Sequence, residues 1–195
     1  MIETSLLAWV IASVFLSSIA IMLINLYNRY TKEIPSSIYT LLGIGGPFVS
    51  LICSLLLIYT QTTENITLHY HAFAWLDIEG FVIDASLMLD PLSAAMLGFV
   101  SFVGFIIHLY AHAYMKDDPS YARFFAWFNL FMSSMFLLIL ADNPFILFIG
   151  WEGVGLCSYL LISFYFESEE NVQAGNKAFI LNRIGDFGFI SGLAL

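Results

Sequence analysis

Long uncharged runs constrain this chain more than any other feature of its sequence. Five runs contain almost no charged residue, namely 4–28, 34–63, 91–115, 124–141 and 143–166. Because a bilayer core about 30 Å thick requires roughly 20 apolar residues in a helix, each run can cross a membrane. A sixth run, 178–195, contains Arg183 and Asp186. The sequence therefore predicts an all-α polytopic membrane protein with about six transmembrane helices.

The composition indicates the same class of protein. Hydrophobic residues make up 60% of the chain and charged residues 11%, whereas ordinary soluble domains contain about 25% charged residues. The net charge of −9 reflects the scarcity of Lys and Arg and does not indicate an acidic binding surface. We expect this chain to lie in a lipid bilayer and to bind no nucleic acid.

The basic residues predict an orientation. All six can be placed on one side of the membrane: Arg29, Lys32, Lys116, Arg123, Lys177 and Arg183. The connections 64–90 and 141–144, on the other side, contain no Lys or Arg. Because cytoplasmic loops are enriched in basic residues, we expect the N-terminus outside. Loops 29–33, 116–123 and 167–177 would then face the cytoplasm or a mitochondrial matrix.

The segment 64–90 has a different pattern from the runs on either side. Its partial period-two alternation and its aromatic residues predict a short β-hairpin on the outer surface, between helices 2 and 3. We expect His69 and His71 to be exposed strand residues rather than zinc ligands. The chain then divides into helices 1 and 2 (1–63), the hairpin (64–90), and helix 3 with helices 4 to 6 (91–195).

Two helix starts have clear signals. Asp90 precedes Pro91, and this order predicts an N-cap followed by a proline at the first helical position. In the tight link "ADNP", either Asp142 or Asn143 can cap the helix that begins at Pro144.

A single carboxylate interrupts the fifth run, "FILFIGWEGVGLCSYLLISFYF". Glu152 lies about 12 Å from the outer end of this helix, at 1.5 Å per residue. Ionisable groups at such depth usually face a bundle interior or a watery cavity. Gly153 and Gly155 beside it allow a close approach of another helix. We interpret Glu152 as a proton-holding group; a protonated Glu that only bonds two helices together is the alternative.

The sixth helix contains further charged residues. Arg183 and Asp186 are three residues apart, so they can pair on one face. Asp186 lies about 13 Å beyond Lys177, which we place at the cytoplasmic entry of the helix. Lys177 is either a proton relay or a snorkelling surface residue. We expect Glu152 to lack a cation partner within this chain, because Lys177 is too far along the helix.

Three more titratable residues are candidates for a lateral proton path. His108 and His112 are four residues apart near the cytoplasmic end of the third helix, where polar residues at the membrane interface are the simpler interpretation. They show no third ligand that would complete a metal site. Asp142, in the outer link, is a further candidate on this path.

Several motifs together resemble one known family. "LADNPFILFIGWEGVGLCSYLLISFYF" and "NKAFILNRIGDFGF" are similar to the large antiporter-like membrane subunit of respiratory complex I, which is subunit L in bacteria and chain 5 in mitochondria. "LDPLSAAM", "HLYAHAYM" and "YARFFAWFNLF" resemble the same family in the same order.

This resemblance implies a proton-pumping role within a larger enzyme. It assigns proton translocation to Glu152, Lys177, Arg183 and Asp186, and it makes helices 4 to 6 the start of an antiporter-like core. It also implies that family members are much longer, with a seventh helix whose Lys pairs with the fifth-helix Glu. The subunit would bind no cofactor itself, since NADH, FMN, iron–sulfur clusters and quinone are bound by other subunits. Its partners would be other membrane-arm subunits.

Other functions remain open from the sequence. The same core motif suits the large subunit of a multisubunit sodium/proton antiporter or of a membrane-bound hydrogenase. A structural scaffold, in which Glu152 is only an anchor, is a third possibility. No nucleophile–base constellation supports an enzyme acting alone. We expect a bacterial inner membrane, with the mitochondrial inner membrane as the alternative.

Overall fold

The computed structural model describes residues 2–31, 34–78 and 81–193. In chain order its elements are β1 (Ile2–Glu3), α1 (Leu6–Thr31), α2 (Ser36–Glu64), β2 (Leu68–Ile78), β3 (Phe81–Leu89), α3 (Pro91–Met115), α4 (Tyr121–Leu140), α5 (Pro144–Ile162) and α6 (Glu169–Leu193). The predicted architecture of about six helices, with a β-hairpin between the second and third, is confirmed.

Five of the described helices, α1 to α5, are long and apolar enough to cross a membrane. The chain is therefore a multi-pass membrane protein. The sixth helix has 25 residues, but its first half is polar.

The start of α6 differs from the prediction. The segment 167–177 was expected to be a loop, yet α6 already begins at Glu169. Glu169 and Glu170 occupy its first turn, where carboxylates complement the partial positive charge of the helix N-terminus. Lys177 consequently lies inside the helix, about 12 Å from its first residue, and not at its entry.

The β-hairpin lies at the same end of the molecule as the N-terminus. Strands β2 and β3 pair antiparallel, with Leu68 opposite Leu89. The short strand β1 pairs parallel with β2, which the sequence did not predict. His71 is exposed, as predicted, and its Nε2 lies 3.0 Å from Asp84 Oδ1, whereas His69 is half-buried.

The link between α4 and α5 is attached to this hairpin. Asn143 Nδ2 donates to the backbone oxygen of Asp84 at 2.8 Å, and the Asp142 backbone N–H donates to that of Ser86. The N-terminus, the hairpin and this link therefore share one end, which is the arrangement predicted for the outer side. Their orientation relative to the cytoplasm stays a prediction.

Both predicted helix caps form. Asp90 and Ser93 make a capping box at the start of α3, with the Ser93 N–H donating to Asp90 Oδ1 at 2.7 Å. These bonds hold the pKa of the Asp90 carboxyl below its usual range. At α5 it is Asn143, and not Asp142, that accepts from the backbone N–H groups of Phe145 and Ile146.

Helix α1 packs against both α2 and α4. Ser50 Oγ donates to the Val10 oxygen at 2.9 Å, and Ser18 Oγ donates to the Ala126 oxygen at 2.6 Å. Such serines satisfy their hydroxyls on a neighbouring backbone, which lets membrane helices approach closely. An apolar cluster that includes Leu97 and Phe136 fills the hairpin end of the bundle.

Candidate functional site

Helices α5 and α6 bring the candidate carboxylates together. Phe148 stacks on Phe189 with ring centroids 5.5 Å apart, and Tyr159 packs against Phe179 at 5.4 Å. Between these two aromatic contacts, Gly155 lies beside Asn182. The contacts on either side fix the rotation of α6 so that its charged residues meet α5 at the level of Glu152.

Glu152, Arg183 and Asp186 form one ionic cluster. Arg183 Nη1 pairs with Glu152 Oε2, and the same nitrogen lies 3.7 Å from Asp186 Oδ2. The predicted pairing of Arg183 with Asp186 is confirmed. The expectation that Glu152 lacks a cation partner in this chain is wrong, because the packing of α6 against α5 places the Arg183 guanidinium beside it.

Trp151 completes this cluster, and the sequence did not single it out. Its indole Nε1 donates to Asp186 Oδ1 at 2.8 Å. The Asp186 side chain is only 7% exposed, so this donor and the guanidinium replace much of its hydration. A signal was present in the sequence, since Trp151 is adjacent to Glu152 in "GWEG" and a tryptophan donates a single hydrogen bond.

The electrostatics of the cluster are unbalanced. Two carboxylates share one guanidinium, so the cluster carries one net negative charge when all three groups are ionised. The guanidinium also lies over the Phe179 ring, with its carbon 4.7 Å from the centroid. In an apolar environment, one proton on either carboxylate removes the excess charge. The arrangement can therefore hold and release one proton.

Lys177 is not part of this cluster. It is exposed on α6 and forms no salt bridge with any residue that the structure describes. At 100° per residue it lies on the face of α6 opposite Asp186. The structure thus brings together three of the four residues assigned to proton translocation.

His108 belongs to a different buried network. Its ring is 1% exposed, with Nδ1 2.7 Å from the Gly104 oxygen and Nε2 3.0 Å from Asn129 Oδ1. Asn129 Nδ2 donates to Ser17 Oγ at 2.9 Å, and Ser17 in turn donates to the Leu42 oxygen. One polar chain therefore links α3, α4, α1 and α2.

His112 and Asp142 lie in separate places. His112 Nδ1 is 2.9 Å from the Tyr121 hydroxyl, beside a polar cavity of about 310 Å³ at the end opposite the hairpin. The interpretation of His112 as a polar residue near the membrane interface fits this position. His108 lies deeper than that interpretation expects, because Asn129 offers it a buried partner. Asp142 is exposed in the outer link.

Metal ligands do not cluster in the described part of the chain. Among residues 2–31, 34–78 and 81–193, no group of three His, Cys, Asp or Glu side chains could hold a metal ion.

Two family descriptions match the chain. Residues 75–125 match the family described as NADH-ubiquinone oxidoreductase (complex I), chain 5 N-terminus. Residues 141–195 match the family described as NADH:quinone oxidoreductase/Mrp antiporter, TM. The second match contains the whole α5–α6 site.

Similar proteins carry related names. NADH-quinone oxidoreductase subunit L of Escherichia coli (strain K12) is 51% identical over 114 residues, covering 58% of this chain and 19% of the relative. The protein of that name in Rickettsia bellii is 35% identical over 183 residues, covering 90% of this chain and 28% of the relative. In Paulinella chromatophora, NAD(P)H-quinone oxidoreductase subunit 5 of the organellar chromatophore is 45% identical over 121 residues, covering 62% of this chain and 18% of the relative.

The chain spans between 18% and 28% of the length of the curated relatives it matches. Its matched segments include the region described as the chain 5 N-terminus and the following transmembrane segment. The chain therefore belongs to the family of the large antiporter-like membrane subunit of respiratory complex I and corresponds to the N-terminal portion of that subunit.

Proposed function

We propose that this chain is part of a proton-translocating membrane subunit of NADH-quinone oxidoreductase. The Glu152–Arg183–Asp186 cluster between α5 and α6 carries this proposal. A structural ion pair needs only one carboxylate per guanidinium, whereas this cluster has a second one and hence room for a proton. The names of the relatives, all subunits of a quinone oxidoreductase, support the same function.

In this proposal, the cluster alternates between a protonated and an ionised form. Arg183 holds both carboxylates, and Trp151 fixes the orientation of Asp186, so that Glu152 is the group free to gain or lose the proton. Movement of Arg183 away from Glu152 would favour proton uptake, and its return would favour release. The chain performs no bond chemistry in this step; it is a subunit of an enzyme whose redox reaction drives the change.

Proton supply to this cluster is assigned to the remaining candidates. Lys177, about 13 Å from Asp186 along α6, would connect the site to the cytoplasmic side. His108 and His112 would form a lateral path, with Asp142 at the outer end. The described residues contain no continuous hydrogen-bond chain from His108 to Glu152, so this path needs water between them.

The assembly follows from the same proposal. Residues 1–63, 64–90 and 91–195 would be, respectively, the N-terminal helices, the outer hairpin, and helix 3 with the start of the translocation core. NADH, FMN, iron–sulfur clusters and quinone would be bound by other subunits, and membrane-arm subunits would be the partners.

We place the protein in a bacterial inner membrane with its N-terminus outside; a mitochondrial inner membrane is the alternative.

A second candidate function is ion transport that requires neither NADH nor quinone. The family description that covers the α5–α6 site also names the Mrp antiporter, which supports a sodium/proton antiporter as the alternative. The large subunit of a membrane-bound hydrogenase belongs to the same alternative because the sequence motif suits it. Sealed vesicles that contain the protein would distinguish these functions. Proton movement that requires NADH and quinone supports the first proposal, whereas sodium-driven proton movement without NADH supports the antiporter.

The direct test is Glu152→Gln in the assembled complex. The amide keeps the size of the side chain but cannot carry the charge, so we expect both NADH oxidation and proton pumping in sealed vesicles to fall. Glu170→Gln, which alters an exposed carboxylate in the first turn of α6, is the matched control and should leave both unchanged. Normal pumping by an intact Glu152→Gln complex would show that Glu152 only joins two helices.

A further inference from the structure

A groove between α1 and α4 has a basic end and an apolar end. It has a volume of about 380 Å³, and Arg29 and Arg123 both line it. Met22, Leu23 and Leu26 form its α1 wall. Met22 precedes Arg29 by seven residues, so the groove extends about 10 Å along α1 from the basic end toward the middle of the helix.

The charge of Arg123 is not neutralised within the described part of the chain. Its Nη2 donates to Ser120 Oγ at 3.1 Å and to the Phe164 oxygen at 3.3 Å, and both acceptors are uncharged. Its guanidinium lies over the Phe164 ring at 4.8 Å. Its Nε is buried and has no hydrogen-bond partner, and the ion pairs among the described residues do not include it.

Arg29 adds a second positive charge to the same end. It lies in the last turn of α1 and is exposed. Arg123 lies in the first turn of α4, where the helix dipole also favours an anion. Two guanidiniums thus line one end of this groove, and guanidinium groups bind phosphate oxygens through paired hydrogen bonds.

The apolar wall faces outward. Leu23 is 62% exposed, and Met22 and Leu26 are about half exposed, so this wall is accessible to an acyl chain. Trp127, also in the groove, suits the boundary between head groups and acyl chains. A free phosphate ion would use only the basic end, whereas a phospholipid uses the basic end and the apolar wall together.

We propose that this groove binds an anionic glycerophospholipid, with its phosphate between Arg29 and Arg123 and one acyl chain along Met22, Leu23 and Leu26. The end of the bundle with these arginines is the end opposite the hairpin, where Lys116 also lies. Anionic lipids are attracted to basic pockets at the membrane surface by about 1 kcal/mol per Lys or Arg. The site is separate from the Glu152 cluster and does not depend on the role proposed for that cluster.

Lipid binding can be measured directly on the protein purified within its complex. The delipidated sample, in an uncharged detergent, is titrated with phosphatidylglycerol or with phosphatidylcholine, and bound lipid is counted by native mass spectrometry. We expect wild type to retain phosphatidylglycerol preferentially. Arg29→Gln and Arg123→Gln should each weaken this retention about fivefold, the factor expected for one basic residue at the surface.

Two further variants keep the test decisive. Because Arg123 also bonds the Phe164 oxygen, Arg123→Gln can disturb the fold; Leu23→Trp fills the groove, leaves both arginines in place, and should also lower lipid retention. Lys116→Gln removes an exposed cation at the same end, outside the groove, and should retain the lipid. Equal retention of both lipids, unchanged retention in Arg29→Gln and Leu23→Trp, or full displacement of the lipid by millimolar inorganic phosphate would overturn the proposal.

Discussion

At the scale of single residues, the α5–α6 site depends on how a few hydrogen bonds are distributed. Among the described residues, Glu152 has one cationic partner, Arg183, whereas Asp186 has both Arg183 and the Trp151 indole as donors. Asp186 is also the more buried of the two carboxylates. The two acids are therefore not equivalent: if Arg183 moves away, Asp186 keeps the Trp151 N–H as a donor, whereas Glu152 loses its cationic partner.

Trp151→Phe tests this division of roles. The substitution keeps an aromatic ring but removes the N–H that bonds Asp186 Oδ1, so the cluster should lose its fixed orientation. We expect proton pumping in sealed vesicles to fall several-fold while assembly of the complex is retained. Trp9→Phe makes the same chemical change at an exposed position on α1 and should leave pumping unaltered. If both variants pump like wild type, Trp151 does not position the site.

At the scale of helices, the site needs α4 and α5 to be in close contact. A Cβ on Gly150 would lie 2.5 Å from the Leu138 backbone nitrogen, and one on Gly153 would lie 2.5 Å from Ser134 Oγ. These two glycines are on either side of Trp151 and Glu152, so the close contact also determines the direction in which those side chains point.

Gly150→Ala should therefore displace α5. The contact at Gly150 is with backbone atoms, which cannot rotate away, so the added methyl group must push the helices apart. We expect a lower melting temperature in detergent and reduced pumping. Gly45→Ala is the control, since a Cβ there meets nothing within 4 Å and alanine favours a helix over glycine by about 1 kcal/mol. A melting temperature for Gly150→Ala equal to that of Gly45→Ala would contradict this reasoning.

At the scale of helices and strands, prediction from the sequence succeeds for some elements and fails for others. Uncharged runs located α1 to α5 to within a few residues, because the length of an apolar run is set by the membrane and is visible without tertiary contacts. The start of α6 was missed because polar helical residues lie outside the apolar pattern. Strand β1 was missed because two residues carry no periodicity and depend on β2 for their pairing.

The site itself was only partly predictable. The spacing of Arg183 and Asp186 indicated that they can pair, since three residues in a helix place side chains on one face. The rotation of α6 against α5 places Arg183 beside Glu152 and leaves Lys177 outside the cluster. This rotation depends on the packing of Phe148 against Phe189, so it cannot be predicted from the sequence of either helix alone.

At the scale of the whole molecule, two networks of polar side chains lie apart from each other among the described residues. One is the α5–α6 cluster around Glu152. The other is the chain from His108 through Asn129 and Ser17 to the Leu42 oxygen, which connects α3, α4, α1 and α2. Because buried polar groups are costly when unpaired, this second system should hold the four N-terminal helices in one arrangement.

A double-mutant cycle on His108 and Asn129 would test this role. His108→Leu leaves Asn129 Oδ1 buried without its partner, which should lower the free energy of unfolding by about 1–3 kcal/mol. Asn129→Leu should have a similar cost, and the double variant should cost less than the sum of the two, because the second substitution removes a group already left unpaired. Coupling energies of about 0.6–1.7 kcal/mol are expected for hydrogen bonds inside membranes.

The control for this cycle is Ser50→Ala, which removes a buried hydrogen bond between α1 and α2 that shares no partner with His108. Its combination with His108→Leu should be additive, since distant sites with separate partners act independently. Each free energy would be obtained by reversible unfolding in detergent. Additive costs for His108→Leu and Asn129→Leu would mean that the two side chains are stabilised independently. In that case the polar chain would not hold the four helices together, and the lateral path through His108 would lose its structural basis.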